Sequence, residues 1–204
     1  LIMKSGTKKA LIIVGVILVC CFGIFKFFGG TYNTIVSLDE GVSSQWAQVQ
    51  NQYQRRMDLI PNLVSTVKGY AKHESDVFTQ IADARSKAGG VVNVDSSILD
   101  DPEAFAKYQK VQGELGSSLQ RLLMITENYP ELKADQNFLA LQDQLEGTEN
   151  RISTERKRFN ETVSEYNKYI RSFPKNIIAN MNGYRPKSYF TASDEAQNAP
   201  KVEF

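Results

Sequence analysis

The chain has 204 residues, of which 42% are hydrophobic and 23% charged, and this composition is typical of a folded protein of one domain. Its 24 Lys and Arg residues against 23 Asp and Glu residues leave a formal net charge of +1. Without a basic excess the chain offers no electrostatic attraction for nucleic acid, so we expect no nucleic-acid partner.

The first predicted element is an apolar segment, residues 10–28, which begins at Ala10 and ends at Phe28. Only Lys26 interrupts it, and because a lysine can extend its amine to the membrane interface, the segment suffices for about one bilayer crossing. It lacks the small-residue cleavage pattern of a signal peptide, which favours an uncleaved anchor over a cleaved signal. A buried helix of a soluble protein is disfavoured, because the segment is apolar on every face.

The charges that flank this segment predict its orientation. Three lysines precede it, whereas only Lys26 lies near its other end. The positive-inside rule then places residues 1–9 in the cytoplasm and the domain of residues 31–204 outside it. We therefore expect a single-pass protein of the bacterial inner (cytoplasmic) membrane that contacts the lipid bilayer through residues 10–28.

Residues 31–88 predict one long helix, because apolar residues recur along them at steps of three and four. Pro61 lies inside this pattern. The apolar stripe continues past the proline, so we expect a kink there rather than an end of the helix. Gly89 and Gly90 then end the helix.

Two further long helices and a short one follow. Asp101 and Pro102 are typical of an N-cap and a first helical residue, and this second helix should end before Pro130. The third runs from about residue 131 to 172, with apolar residues spaced close to heptads. A short fourth helix covers residues 176–181.

The chain is therefore expected to be all-α. An N-terminal transmembrane helix is followed by an elongated antiparallel bundle of three long helices, a short fourth helix and an extended C-terminal tail. The tail is expected to latch onto the grooves of the bundle, although a segment of this kind can also bind a neighbour or extend an exposed strand. Its candidate latch residues are Tyr184, Tyr189, Phe190, Val202 and Phe204.

Signatures of catalysis and of metal binding are absent from the sequence. His73 is the only histidine, and HESD lacks the spacing that puts two imidazoles on one helical face. The chain has no nucleophile elbow and no phosphate-binding glycine loop, and both cysteines, Cys20 and Cys21, lie in the membrane segment. We predict no catalytic residue, no metal and no cofactor.

Charged residues interrupt the apolar stripes of the first and third helices. Arg56 and Glu74 lie in the first, and Glu149 and Arg156 in the third. One interpretation places them at the edge of the stripe with their charged groups in water. The other is a buried polar layer that fixes helix register or faces a second subunit. Asp58 offers a counter-charge next to Arg56 and is a further candidate residue of this polar core or interface.

Four segments of the chain carry a family signature. They are QRRMDLIPNLVSTVKGYAKHE (54–74), YPELKADQNFLALQDQLEGTENRISTERKRFNETVSEYN (129–167), FPKNIIANMNGY (173–184) and APKV (199–202). In this order, behind one membrane helix, they resemble the LemA family of bacterial membrane proteins over nearly all of the chain from Tyr32 onward. The resemblance implies a helical bundle on a membrane anchor, and it implies no particular reaction.

We expect a non-enzymatic scaffold or interaction protein of the bacterial envelope whose outer domain forms a homo-oligomer or binds an envelope protein. Confinement to a membrane raises the effective concentration of subunits, so even weak lateral contacts can assemble them. The alternative is an adaptor or accessory subunit of a membrane protease or other envelope enzyme, because members of the family that this chain resembles are often encoded near membrane metalloproteases. An open polar cleft lined by the charged residues would favour an enzyme.

Overall fold

The computed structural model describes residues 5–91 and 94–191, with side chains from residue 11 onward, and these residues form helices without any strand. A 3₁₀ turn, Ser96–Asp100, precedes the helix that begins at Pro102. The all-α class is confirmed, while the antiparallel order of an elongated bundle stays a prediction. The α-helices are α1 (Ser5–Tyr70), α2 (Ser75–Gly89), α3 (Pro102–Thr126), α4 (Pro130–Lys133), α5 (Gln136–Arg171) and α6 (Lys175–Met181).

The apolar segment lies in α1. Its most apolar window has a mean hydropathy of 2.8, and none of that window is buried. Among the described residues α1 is the one helix long and apolar enough to cross a membrane, judged by length and composition. The helix continues past this segment and through the exposed Pro61 to Tyr70. The helix therefore continues through Pro61, which agrees with the prediction made from the apolar stripe on both sides of the proline.

The prediction of one helix over residues 31–88 is wrong. α1 ends at Tyr70 and α2 begins at Ser75, with a turn between them. Gly69 weakens the end of α1, since a glycine costs about 1 kcal/mol relative to alanine within a helix. Ala71 in the turn and Phe78 on α2 are both buried, so the apolar stripe continues across the break. Periodicity alone does not reveal a break that keeps the same residues buried.

The predicted third helix, residues 131–172, is also two helices. α4 ends at Lys133, and α5 begins at Gln136 after a turn. Asp135 starts α5, because its Oδ1 accepts a hydrogen bond from the main-chain nitrogen of Phe138 at 2.9 Å. A carboxylate that binds the first free amides of a helix favours a helix start at that point.

The predicted start of the second helix is confirmed. Asp101 Oδ1 accepts hydrogen bonds from the main-chain nitrogens of Glu103 at 3.0 Å and Ala104 at 3.1 Å. Pro102 occupies the first helical position, where its missing N–H leaves no hydrogen bond unmade. The short fourth helix is confirmed as α6.

The described residues form two compact units. The first contains the described residues up to Gly41 together with Glu165–Pro186, and the second contains the described residues of Val42–Ser164 together with residues 187–191. The buried apolar residues of the first unit include Ile35, Tyr166, Ile170, Ile178 and Ala179. The aromatic core of the second unit consists of Trp46, Tyr53, Phe105, Tyr108, Phe159 and Phe190.

Candidate functional site

The most unusual buried group is the guanidinium of Arg56, in the second unit. The Arg56 side chain is 4% exposed. Its Nη2 donates to Gln112 on α3 twice, to the side-chain Oε1 at 2.6 Å and to the main-chain carbonyl at 3.1 Å. Its Nη1 donates to Oε1 of Glu149 on α5 at 3.2 Å. One cation therefore connects three helices of this unit.

The two partners of Arg56 differ in their exposure to solvent. Gln112 is 3% exposed, whereas the Glu149 side chain is 42% exposed. Water can solvate the half-exposed carboxylate but not the buried amide, so the ion pair with Glu149 is weakened by solvent. The neutral Gln112 is thus the partner on which the buried cation depends most.

One neutral phenol packs against this cation, and a second packs against the first, with the ring centroids of Tyr53 and Tyr108 5.9 Å apart. The ring of Tyr53 lies 5.1 Å from the guanidinium carbon of Arg56. Burial raises the pKa of both Tyr53 and Tyr108, although the positive charges of Arg56 and Arg156 act in the opposite direction. Both hydroxyls therefore keep their protons at neutral pH. They contribute neither a base nor a nucleophile to the site.

A second polar cluster holds the start of the C-terminal tail. Phe190 is buried, with its ring centroid 5.0 Å from that of Phe105 and 5.3 Å from that of Phe159. Asn160 on α5 binds the main chain of Phe190 twice. Its Nδ2 donates to the Phe190 carbonyl at 2.8 Å, and the Phe190 nitrogen donates to its Oδ1 at 2.9 Å. A single amide thereby satisfies both polar groups of an extended, buried residue.

Arg156 belongs to this tail cluster. Its guanidinium carbon lies 4.7 Å from the centroid of the Phe190 ring, and its Nη2 donates to the Thr191 carbonyl at 2.9 Å. On the other side, the main-chain nitrogen of Thr191 donates to Oε1 of Gln109 on α3 at 3.0 Å. Side chains of α3 and α5 thus bind the same short stretch of the tail.

The predicted latch residues of the tail differ in their placement. Phe190 is 6% exposed and packs in the aromatic core, whereas Tyr189 is 41% exposed. The ring of Tyr184 packs against that of Tyr32 in the first unit. Val202 and Phe204 lie outside the described residues.

The remaining predicted site residues lie apart from these two clusters. Glu74, at the turn before α2, accepts a hydrogen bond from the Tyr129 hydroxyl at 3.1 Å. Asp58 is exposed and accepts from Gln54 Nε2 at 2.7 Å. The structure therefore brings Arg56 together with Glu149, places Arg156 in the tail cluster, and places Glu74 and Asp58 outside both clusters.

Neither Gln112 nor Asn160 was predicted as a site residue, although Asn160 lies in the family segment 129–167, and only the spacing around Gln112 carried a signal. Gln112 stands in the apolar stripe of α3, four residues after Tyr108 and three before Leu115, where a polar residue is out of place. Asn160 gave no such signal, since asparagine is common on exposed helix faces. Its partner is a main-chain segment that no spacing rule identifies.

A groove of about 430 Å³ is present elsewhere in the second unit. None of the charged residues Arg56, Glu74, Glu149 and Arg156 lines it. His73 is exposed, and in the part of the chain that the structure describes no three His, Cys, Asp or Glu side chains lie close enough to hold a metal ion. The groove is lined by Leu123, Met124, Thr126, Glu127, Lys133, Phe138, Leu139 and Gln142.

Over the described residues, these features define an all-helical protein with one candidate membrane span, in which a buried arginine connects three helices and polar side chains of two helices bind the start of the tail. The sequence model of the LemA family matches residues 45–204, which include both polar clusters. The chain belongs to the LemA family, so the resemblance found in its motifs is confirmed.

Relatives of this chain carry two kinds of name. Magnetosome protein MamQ 2 of Paramagnetospirillum magneticum is 26% identical over 207 residues, which cover 92% of this chain and 74% of that protein. Magnetosome protein MamQ of Magnetospirillum gryphiswaldense is 26% identical over 178 residues, covering 78% and 64%. Protein LemA of Metamycoplasma hominis is 23% identical over 193 residues, covering 94% and 83%. None of these names states a reaction.

Proposed function

We propose that this chain is a non-enzymatic, membrane-anchored scaffold of the bacterial envelope that self-associates. In this proposal residues 10–28 cross the cytoplasmic membrane once, residues 1–9 are cytoplasmic, and residues 31–204 form an elongated antiparallel bundle outside the cytoplasm. The membrane helix is a signal-anchor that is not cleaved.

The observation that carries the proposal is the way in which the buried Arg56 and the half-buried Arg156 are bound within the second unit. Arg56 is bound by Gln112 and Glu149 from two other helices, and Arg156 is bound to the tail main chain. A guanidinium stays protonated in proteins and cannot act as a base, so both side chains suit a fixed connecting role. An enzyme would instead direct such groups into an open cleft with perturbed acid and base pKa values.

Self-association is supported by exposed apolar side chains and by confinement. Met124 is 72% exposed and Leu139 41% exposed, and both line the groove of the second unit. Two chains anchored in one membrane meet at a much higher effective concentration than two chains in solution. We propose that a second copy of this chain covers the groove.

Crosslinking in intact bacterial membranes tests this proposal. In a variant with Cys20→Ala and Cys21→Ala, Leu139→Cys should give a disulfide-linked dimer upon mild oxidation. Tyr189→Cys is the matched control, because Tyr189 has the same 41% exposure and does not line the groove. Adding Met124→Ser to the Leu139→Cys variant should lower the dimer yield.

The possible results separate the proposal from its alternative. A dimer from the Tyr189→Cys control alone would contradict the groove as the contact but not self-association. A Leu139→Cys link to a different envelope protein would support an adaptor or accessory subunit of an envelope enzyme. The absence of any link at either position, with the protein present at normal levels in the membrane, would contradict the scaffold.

A further inference from the structure

An exposed apolar surface lies at the corner between α5 and α6, in the first unit. Phe173 is 81% exposed, Ile177 47% and Met181 74%, whereas Ile178 and Ala179 on the other side of α6 are buried. Ile177 and Met181 are one helical turn apart and share a face, and Phe173 precedes α6 by two residues. We call these three residues the corner surface. An apolar face of this kind on a soluble surface marks a contact with another apolar body.

The corner surface belongs to the unit that contains the proposed membrane span. Along α1 the described side chains up to residue 30 are exposed, and burial begins at Thr31 and Ile35. The elements that cover α1 in this unit therefore start where the apolar segment stops. This boundary lies where a protein that leaves a bilayer first meets the headgroups.

One aromatic contact brings the chain just after α6 close to the end of the proposed span. The rings of Tyr32 on α1 and Tyr184, three residues after α6, have centroids 6.3 Å apart. Tyr32 follows Phe28 by four residues, which is about 6 Å along a helix. Tyr184, just beyond α6, thus packs beside a residue that lies about one headgroup layer past the proposed span.

The charge of the same stretch suits a bilayer surface. Residues 165–186 carry four cations, Lys168, Arg171, Lys175 and Arg185, and one acid, Glu165. Lys175 lies at the start of α6, with its Nζ 3.9 Å from the centroid of the Tyr169 ring. Cations beside an apolar helix face attract the anionic headgroups of a membrane surface.

We propose that Phe173, Ile177 and Met181 insert into the headgroup region of the same bilayer that α1 crosses. This inference rests on the membrane anchoring of the proposed function and adds a second attachment to it. A span alone leaves the first unit free to tilt and turn about α1. A span together with an inserted corner fixes which side of the first unit faces the membrane.

Fluorescence quenching by labelled lipids tests the inference on the full chain. The Cys20→Ala, Cys21→Ala background receives a single cysteine, Ile177→Cys, which carries an environment-sensitive fluorophore. The protein is reconstituted at one copy per nanodisc of phosphatidylcholine and phosphatidylglycerol, with and without a nitroxide on the lipid headgroup. Phe25→Cys reports on the span, and Met124→Cys is an exposed control in the second unit.

In nanodiscs with headgroup nitroxides, we expect the label at position 177 to lose most of its fluorescence. The label at position 124 should keep its fluorescence in the same nanodiscs. Adding Phe173→Ser and Met181→Ser should restore part of the signal at position 177. A label at position 177 that behaves like the one at 124, while an acyl-chain nitroxide quenches the label at position 25, would overturn this inference and leave the anchoring intact.

Two other results would overturn the inference for different reasons. If the acyl-chain nitroxide does not quench the label at position 25, the anchoring itself is wrong and the inserted corner is wrong with it. If position 177 is quenched by no lipid but forms disulfide-linked dimers in vesicles that hold many copies, a second copy of the chain covers the corner surface instead.

Discussion

Replacing Gln112 with leucine should destabilise the protein more than neutralising Glu149, although only Glu149 is charged. Gln112 Oε1 lies 2.6 Å from Arg56 Nη2 and is buried, whereas the Glu149 side chain is 42% exposed. Leucine keeps most of the volume of glutamine but removes the acceptor. Arg56 then keeps the Gln112 main-chain carbonyl and a carboxylate that water already screens.

The expected magnitude follows from the kinds of hydrogen bond involved. A hydrogen bond to a buried charged group contributes about 1.5 to 3 kcal/mol, so Gln112→Leu should cost about that much. Glu149→Gln keeps an acceptor and loses a solvent-screened ion pair, which costs up to about 1 kcal/mol. For a chain of this size, 1 kcal/mol lowers Tm by about 2 to 4 °C.

Thermal unfolding of the full-length protein in detergent, followed by circular dichroism, measures both changes. Gln112→Leu should lower Tm by about 3 to 12 °C and Glu149→Gln by less than about 4 °C. Gln120→Leu is the matched control, because Gln120 lies on the same helix and is exposed, and it should change stability by no more than about 0.5 kcal/mol. Arg56→Met together with Gln112→Leu should recover most of the loss, since both polar partners are then gone.

A different order of effects would refute this reasoning. If Glu149→Gln lowers Tm as much as Gln112→Leu, the ion pair rather than the amide stabilises Arg56. If Gln112→Leu behaves like Gln120→Leu, the guanidinium is not buried as the structure shows.

Three further predictions concern other parts of the second unit. Asn160→Ala removes both hydrogen bonds to the Phe190 main chain, so it should lower the free energy of unfolding by about 1 to 3 kcal/mol and speed protease cleavage of the tail. Asn150→Ala, at an exposed position of α5, should have neither effect. Hydrogen bonds from the Phe138 amide and the Tyr70 hydroxyl hold the pKa of Asp135 below its usual value near 3.8. The carboxylate therefore stabilises the fold above that value, and this contribution is lost as the pH falls through the lower, folded-state pKa. Between about pH 5 and about pH 2, the Tm of Asp135→Asn should fall less than that of the unmodified protein, and an equal fall would contradict this. Tyr108→Phe removes a buried hydroxyl with no hydrogen-bond partner among the described residues and should raise Tm, whereas a lower Tm would show that the hydroxyl is paired. Because burial raises the pKa of this phenol, the variant should also lose less stability than the unmodified protein above about pH 10.

The helical class could be predicted from the sequence because apolar residues at steps of three and four report burial directly. The stripe through Ala71 and Phe78 predicted buried positions correctly, but it also suggested a continuous helix where the chain turns. The same happened before α5, where a turn at Asp135 interrupts the predicted third helix. The burial pattern and the continuity of a helix are separate properties, and the periodicity of apolar residues predicts only the burial pattern.

The polar sites were harder to predict than the fold. Arg56 and Glu149 stood out as charges in apolar stripes, yet their spacing in the chain gave no reason to pair them. Gln112, the closer partner of Arg56, is uncharged and was overlooked. Asn160 binds main-chain atoms, and such a contact depends on the path of the tail rather than on the identity of Phe190. Which polar side chains pair in a helical protein depends on which helices are neighbours, and local sequence patterns do not contain that information.

The number of copies per native membrane particle tests the proposed scaffold most directly. Full-length protein extracted with its surrounding lipid into polymer nanodiscs, at several expression levels, can be weighed particle by particle. The proposal predicts particles with two or more copies of the chain even at low expression. Particles that hold one copy and no other protein at every expression level would contradict it.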